Sequence, residues 1–114
     1  MNKIILYGIA NCDVTRKALA WYKKKNITVE FHDYKISGIR AEKLRYWCQK
    51  VDWKLLVNKK SSTWRSLTAS EQQLITNEAA AITLMLKYTT VIKRPVIEIN
   101  DHVIVGFDEA MFNQ

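Results

Sequence analysis

A cysteine stands where an apolar run passes into a basic, helix-patterned segment, in the stretch IILYGIANCDVTRKAL over residues 4–19. The run from Lys3 to Tyr7 is short, rich in isoleucine and closed by Gly8, which predicts a buried strand. From Asp13 onward the apolar residues recur at helical spacing instead. The chain is therefore expected to leave a strand, turn at Cys12 and enter a helix, at a junction that is neither deep core nor ordinary surface.

The segment after this junction predicts one amphipathic helix and then a second strand. The helix has a single apolar face, whose residues recur at i, i+4, i+7 and i+8: Val14, Ala18, Trp21 and Tyr22. Asn26 is expected to end the helix, and the alternation of apolar and polar residues from Ile27 to His32 predicts a strand. A strand, a helix and a strand in succession predict two parallel strands joined by a right-handed crossover.

After the turn residues Ser37 and Gly38, the middle of the chain is predicted to be helical. An apolar stripe at helical spacing marks the first of these helices and consists of Leu44, Trp47, Cys48 and Val51. A short helical piece is expected at about 53–57, followed by a polar loop from Asn58 to Thr63. Two later helices complete this helical part of the chain.

The first of those helices is predicted by Thr68 and Glu71, which have the spacing of a capping box. It is expected to contain Leu74 and Ile75. The second is predicted over 79–86, after a kink near Asn77.

The last part of the chain returns to strands. Pro95 precedes the apolar run VIEI, and Asn100-Asp101 fills a two-residue gap before HVIV, which predicts a β-hairpin. Asp108 is expected to cap a short final helix. The prediction is therefore one α/β domain over residues 1–114 in the order β-α-β, helical insertion at about 38–90, β-β-α.

Size, hydropathy and cysteine content limit what kind of protein this is. The chain has 114 residues, 48% of them hydrophobic, which fits one domain with a substantial core. No apolar run approaches the roughly 20 residues of a membrane span, so a cytoplasmic protein with reduced thiols is expected. Cys12 and Cys48 make neither a disulfide framework nor, with His32 and His102, a zinc-type spacing. No bound metal is expected.

The charge is positive, and its excess lies in the first half of the sequence. The net charge is +7, with 12 Lys and Arg against 5 Asp and Glu in residues 1–57, and 6 against 6 in residues 58–114. Such an excess allows an anionic ligand or an acidic partner. Nucleic acid is not an expected partner, because no binding motif and no array of aromatic and basic residues accompanies the charge. A basic, solvated surface is the simpler interpretation.

Cys12 is the residue whose position predicts chemistry. A loop that leaves a strand for a helix N-terminus lies at the ligand-binding edge of an open α/β sheet. Free backbone N–H groups and the helix dipole favour an anion there. The Cys12 thiol is therefore expected to ionise more readily than a free cysteine, whose pKa is about 8.5. Asn11 or Asp13 is expected to cap the turn, although the charge of Asp13 opposes a thiolate.

Spacing excludes two other cysteine chemistries. A phosphatase loop of the C-x5-R type needs arginine at position 18, which is Ala18, and a C-x-x-C dithiol needs cysteine at position 15, which is Thr15. After reaction, Cys12 must therefore be resolved by an external thiol or by the distant Cys48. Because Cys48 belongs to an apolar helical stripe, it is expected in the core, which favours a one-cysteine site that uses a small thiol such as glutathione.

Four segments together resemble the arsenate reductase (ArsC)/Spx-like family, and most of all its YffB-type branch. They are YGIANCDVTRKA at 7–18, FHDY at 31–34, STWR at 62–65 and KRP at 93–95. They follow one another in the family's order and cover nearly the whole chain. The resemblance implies a thioredoxin-like fold with a helical insertion between two β halves, in which Pro95 is a cis-proline beside the active-site loop.

The resemblance also implies an activity. Cys12 is then the nucleophile that attacks arsenate, and glutathione or glutaredoxin releases the product, with no bound cofactor. The substrate-binding positions that the resemblance implies are Asn11, Thr15, Arg94 and Pro95. Members that reduce arsenate hold the oxyanion with three arginines, of which Arg94 matches.

The other two arginine positions depart from the family pattern. One is Asn58, followed by Lys59 and Lys60, and the other is Gly106. Arsenate turnover is therefore expected to be weak or absent, and the chain is predicted to be a glutathione-dependent monothiol reductase for an oxyanion or a mixed disulfide. The alternative is a non-catalytic regulatory or protein-binding module like the Spx branch, which binds RNA polymerase and usually carries the C-x-x-C motif that this chain lacks.

Overall fold

The structure, a computed structural model, describes residues 3–112 and divides into two compact units. The sheet unit is Met1–Gly38 with Arg94–Gln114, and the helical unit is Ile39–Lys93. In chain order the elements are β1 (Ile4–Gly8), α1 (Asp13–Lys24), β2 (Glu30–Asp33), α2 (Tyr34–Ser37), α3 (Ala41–Lys50), α4 (Trp53–Leu56), α5 (Ser62–Ser66), α6 (Ala69–Gln73), α7 (Glu78–Lys87), a 3-10 turn (Thr89–Val91), β3 (Val96–Ile99), β4 (His102–Val105) and α8 (Glu109–Phe112).

The predicted α/β class and the order of its parts are confirmed. The helical unit occupies the stretch where an insertion at about 38–90 was expected. That residues 1–114 act as one domain stays a prediction.

Within residues 3–112 the sheet has four strands in the order β2-β1-β3-β4. Strand β1 pairs with β2 in parallel, with Leu6 opposite Phe31 and Gly8 opposite Asp33, and its other edge pairs antiparallel with β3. Strands β3 and β4 form the predicted hairpin, and Asn100 adopts φ 56° in its turn, a conformation that asparagine tolerates well. The parallel β1-α1-β2 unit brings the end of β1 and the end of β2 to the same edge of the sheet.

The core of the sheet unit forms where α1 packs on the strands. Its buried residues are Ile4, Leu6, Ala18, Tyr22 and Ile97. The predicted apolar face of α1 was wrong at its first position, because Val14 is 38% exposed whereas Thr15 is completely buried. The buried stripe is Thr15, Ala18 and Tyr22. A small polar residue occupies the first buried turn because Gly8 leaves space for it.

Helix α1 ends as predicted, but the strand after it begins later than expected. Asn26 takes a left-handed φ of 57°. Its N–H donates to Lys23 O (3.0 Å), and the N–H of Ile27 donates to Tyr22 O (3.0 Å), which is a Schellman closure. Ile27 is therefore part of the helix stop and is 38% exposed. Strand β2 starts only at Glu30.

In the helical unit, α3 buries Leu44 and Trp47 as predicted. Cys48 was expected in the core but is only half-buried. The expected polar loop from Asn58 to Thr63 contains the start of α5, because the hydroxyl of Ser61 accepts a hydrogen bond from Trp64 N and so caps a helix.

The capping box of Thr68 and Glu71 is confirmed in both directions. The helix that it opens is shorter than predicted, since α6 ends at Gln73 and Leu74 is 72% exposed. In place of a kink, Asn77 caps a separate helix by accepting a hydrogen bond from Ala80 N at 2.9 Å.

Within the described residues, no helix is long and apolar enough to cross a membrane.

Candidate active site

Cys12 lies at the N-cap position of α1, in the loop that leaves the end of β1. Its backbone is extended (φ −127°, ψ 125°), and its carbonyl accepts the first helical hydrogen bond from Arg16 N at 2.9 Å. The N-cap residue is Cys12 itself, so the expectation that Asn11 or Asp13 would cap the turn was wrong. Asp13 forms an ion pair with Arg16 instead. The first N–H groups of α1 are therefore left to face the sulfur of Cys12.

The surroundings of this sulfur favour its ionised form. Burial of the half-buried thiol is the largest single influence and raises its pKa. The opposing influences are hydrogen bonds to the sulfur from the N–H and hydroxyl of Thr15, the guanidinium of Arg94 and the N–H of Val14. Together they outweigh burial, so the pKa of Cys12 lies below its ordinary value. A thiolate held by several donors can act as a nucleophile near neutral pH.

Arg94 approaches the sulfur from the start of β3. It is half-buried, and the Arg94–Pro95 peptide bond is cis, as the resemblance implies. Pro95 is itself buried, and its carbonyl accepts a hydrogen bond from Gly106 N at 2.7 Å. The guanidinium supplies a permanent positive charge beside the thiolate, together with donors that no lysine could arrange in the same plane.

Thr15 fills the space between the helix and the end of β1. It is fully buried, and its hydroxyl lies at the Cys12 sulfur, where it helps to lower the pKa of the thiol. A buried hydroxyl needs a hydrogen-bond partner, and a thiolate is a stronger acceptor than a neutral thiol, so the buried hydroxyl of Thr15 favours ionisation of Cys12. The side chain is held tightly, because a Cβ at Gly8 would lie only 2.7 Å from Thr15 Oγ1 and 3.0 Å from its Cγ2.

The variant Gly8→Ala tests this packing. The added methyl must displace Thr15, which we expect to cost about 1–3 kcal/mol in the free energy of unfolding and to slow Cys12 alkylation at pH 6.5. Urea unfolding and iodoacetamide kinetics measure the two effects. The double variant Gly8→Ala/Thr15→Ala should recover much of the stability but not the alkylation rate. Wild-type stability in Gly8→Ala alone would contradict the close packing.

The end of β2 holds the loop that carries Cys12. The carboxylate of Asp33 accepts a hydrogen bond from Ala10 N at 3.2 Å and, through its other oxygen, from Lys35 N at 3.0 Å. Tyr34, the next residue, is 1% exposed and contacts the guanidinium of Arg94. Sequence reasoning missed both residues, although the FHDY segment that contains them contributed to the resemblance.

The predicted site residues are only partly assembled. Thr15 and Arg94 lie at the Cys12 sulfur, and Pro95 follows Arg94 in the chain. Asn11 is exposed. Among residues 3–112, no group of three or more His, Cys, Asp or Glu side chains could hold a metal ion.

Cys48, the second cysteine, has the opposite electrostatic environment. It lies in the helical unit, where burial and then the carboxylates of Glu78 and Asp52 raise its pKa to about 11. Its thiol therefore stays protonated at neutral pH and is a poor nucleophile.

The chain is similar to known proteins over nearly its full length. A family model described as the ArsC family matches residues 7–114. An uncharacterized protein from Haemophilus influenzae is 36% identical over 109 residues, which cover 96% of this chain and 95% of that protein.

Solved structures extend this similarity to the fold. The YffB (PA3664) protein is 38% identical with a TM-score of 0.90, covering 97% of this chain and 96% of that chain. An arsenate reductase (ArsC) related protein from Brucella melitensis is 36% identical with a TM-score of 0.81, and the match covers 97% of this chain and 92% of that chain. An ArsC family related protein from Bacteroides fragilis, at 21% identity and a TM-score of 0.83, covers 97% and 95% and shares the fold. The predicted thioredoxin-like fold is confirmed.

Proposed function

Because this chain belongs to the ArsC family, in its YffB-type branch, we propose that it is a glutathione-dependent monothiol reductase with Cys12 as its nucleophile. The observation that carries the proposal is the position of Cys12 at the N-terminus of α1, beside Thr15 and Arg94, whose hydrogen bonds to the sulfur favour its ionised form. No C-x-x-C partner follows it, since position 15 is Thr15. We place the reaction in the cytoplasm, where glutathione is abundant and thiols are kept reduced.

In the first step, the Cys12 thiolate attacks the glutathionyl sulfur of a mixed disulfide between glutathione and a substrate thiol. A disulfide between Cys12 and glutathione forms as the original S–S bond breaks. The substrate sulfur leaves as a thiolate and takes up a proton from water. The donors around Cys12 keep the attacking sulfur ionised.

In the second step, the thiolate of a free glutathione attacks the glutathionyl sulfur held on Cys12. Oxidised glutathione forms, and Cys12 leaves as a thiolate, which is a good leaving group because its pKa is low. The net reaction converts one mixed disulfide and one glutathione into a free substrate thiol and oxidised glutathione. Two electrons pass to the substrate disulfide, and glutathione is the reductant. Glutaredoxin is an alternative donor of the second thiol.

Arg94 is proposed to serve a second purpose in binding. Glutathione carries two carboxylates, and a half-buried guanidinium can donate two parallel hydrogen bonds to one of them. With Thr15 and Pro95, Arg94 would form the surface against which the glutathionyl group lies. Asn11 is exposed beside Cys12 and is proposed as a contact on the solvent side.

A direct test is to expose the protein to oxidised glutathione and measure the intact mass. We expect one glutathionyl group, mapped to the peptide that contains Cys12, with Cys48 free. Cys12→Ser should take up none, whereas Cys48→Ser, the matched control, should react like the wild type.

Turnover gives the second half of this test. NADPH consumption, coupled through glutathione reductase with a glutathionylated peptide as substrate, should be abolished in Cys12→Ser and kept in Cys48→Ser. A disulfide between Cys12 and Cys48, or the absence of turnover in the wild type, would contradict the proposed function.

A regulatory or protein-binding module is the second candidate, and the charge of the helical unit favours it. Residues 39–93 hold ten Lys and Arg against four Asp and Glu, so most of the net positive charge lies there. Such a surface attracts an acidic partner. Salt-sensitive binding of polyglutamate by a protein that shows no glutathione turnover would favour this candidate over the enzyme.

A further inference from the structure

The two residues at the end of the FHDY segment contact the Cys12 site from two directions. The carboxylate of Asp33 holds the loop before the cysteine through Ala10 N at 3.2 Å. The same residue is the N-cap of α2, whose first residue is Tyr34. Strand pairing brings Asp33 and Tyr34 close to the Cys12 loop, because Asp33 lies opposite Gly8 in the parallel β1–β2 ladder.

Tyr34 is the more deeply buried of the two. Its side chain is 1% exposed, and its hydroxyl is shielded from water. The hydroxyl of Tyr34 contacts the guanidinium of Arg94. Cys12 lies close enough to both groups for its charge to influence them. A phenol oxygen can accept a hydrogen bond from a guanidinium N–H.

We infer that Asp33 and Tyr34 are positioning residues for Cys12: Tyr34 holds the guanidinium of Arg94 against the sulfur, and Asp33 holds the loop that presents it. The inference rests on the proposed role of Cys12 as a nucleophile. The groups that hydrogen-bond the sulfur belong to Thr15, Val14 and Arg94, so Asp33 and Tyr34 would each act through a neighbour.

A physical cost explains why such support is needed. Arginine has many rotamers, and fixing one of them costs up to about 2 kcal/mol of side-chain entropy. A half-buried Arg94 without support would spend part of its time away from the sulfur. Tyr34 has only two side-chain torsions and is locked by packing, so it can hold the guanidinium at little further cost.

Burial also keeps Tyr34 neutral. Desolvation raises its pKa to about 12, although the nearby Arg94 acts in the opposite direction. A phenolate would compete with the Cys12 thiolate for the positive charge of Arg94. A neutral phenol orients the guanidinium and leaves that charge to the sulfur.

The decisive variant is Tyr34→Phe, which removes one oxygen and keeps the ring. We expect the rate of Cys12 alkylation by iodoacetamide at pH 6.5 to fall about threefold to tenfold, because the pKa of the thiol rises by about half a unit to one unit. Tyr22→Phe is the matched control, since Tyr22 is also a buried tyrosine of the sheet unit, at 3% exposure. It should alkylate at the wild-type rate.

The variant Arg94→Ala tests whether the effect of Tyr34 on Cys12 passes through Arg94. If Tyr34 acts through Arg94, adding Tyr34→Phe to Arg94→Ala should change the alkylation rate no further, because effects of residues that act through one contact are not additive. Equal additional losses in both backgrounds would overturn the inference. So would a Tyr34→Phe variant that matches Tyr22→Phe in both rate and pH profile.

The variant Asp33→Asn tests the other positioning residue, and its result does not depend on whether Tyr34→Phe folds. Asp33→Asn removes a negative charge, which by electrostatics alone would lower the pKa of Cys12 and speed alkylation. It also replaces one acceptor oxygen with an NH2 group, which loosens the loop at Ala10, so we expect slower alkylation. Faster alkylation would overturn the role of Asp33. Failure of the proposed function is distinct, since it would appear as an unreactive Cys12 in the wild-type protein.

Discussion

Iodoacetamide should modify Cys12 at least about tenfold faster than Cys48 at pH 7. Only the thiolate reacts, and the pKa of Cys12 is lowered whereas that of Cys48 is raised to about 11. This separation gives Cys12 an excess of thiolate of about a hundredfold or more. The lower intrinsic nucleophilicity of a less basic sulfur offsets roughly tenfold of that excess.

The pH dependence of the two rates should differ in a defined way. A thiol ionises as the pH rises through its pKa, so alkylation increases about tenfold per pH unit below the pKa and levels off above it. The alkylation rate of Cys12 should therefore reach its plateau at a lower pH than that of an ordinary cysteine. Cys48 should still be accelerating at pH 10.

Mass spectrometry of the two cysteine-containing peptides after brief treatment measures both rates. Cys12→Ser and Cys48→Ser isolate each thiol in turn and serve as controls for cross-reaction. Equal rates, or a faster Cys48, would show that Cys12 is not the nucleophile.

Arsenate should give turnover that is weak or absent when measured against a Cys12→Ser blank. One bidentate arginine, Arg94, provides far less charge-assisted hydrogen bonding to a dianion than three would. At the second arginine position, the side chain of Asn58 is engaged within its own loop, where its amide oxygen accepts a hydrogen bond from Lys60 N at 3.0 Å. The next residue, Lys59, places its Nζ 5.5 Å from the ring centroid of Trp64, and a lysine lacks the planar fork of arginine.

The third position is equally unsuited to an arginine. Gly106 has a φ of 85°, a left-handed conformation that side chains other than glycine rarely adopt, and its N–H is bonded to Pro95 O. The assay is NADPH consumption with arsenate, glutathione, glutaredoxin and glutathione reductase, and a glutathionylated peptide is the positive control. Saturable turnover at low arsenate concentration would show that one arginine is sufficient.

Local sequence pattern predicted the elements that short-range interactions decide. The strand before Gly8, the helix stop at Asn26 and the hairpin turn at Asn100 all depend on residues within a few positions of one another, and all three are confirmed. The capping box of Thr68 and Glu71 belongs to the same class. Pattern was wrong where a boundary depended on a single cap, as at Ser61 and Asn77, because one polar side chain can start a helix inside an apparent loop or kink.

Local pattern was enough to predict a lone cysteine between a strand and a helix N-terminus, and that position predicts an easily ionised thiol. The groups that surround the sulfur could not be predicted in this way, because they come from several elements. Thr15 faces inward in place of Val14 because Gly8, on another element, has no side chain. Arg94 contacts the sulfur from a distant part of the chain, and Tyr34 contacts the guanidinium of Arg94. Periodicity reports which residues share a face of one element, whereas contacts between elements depend on strand pairing and packing that no local pattern contains.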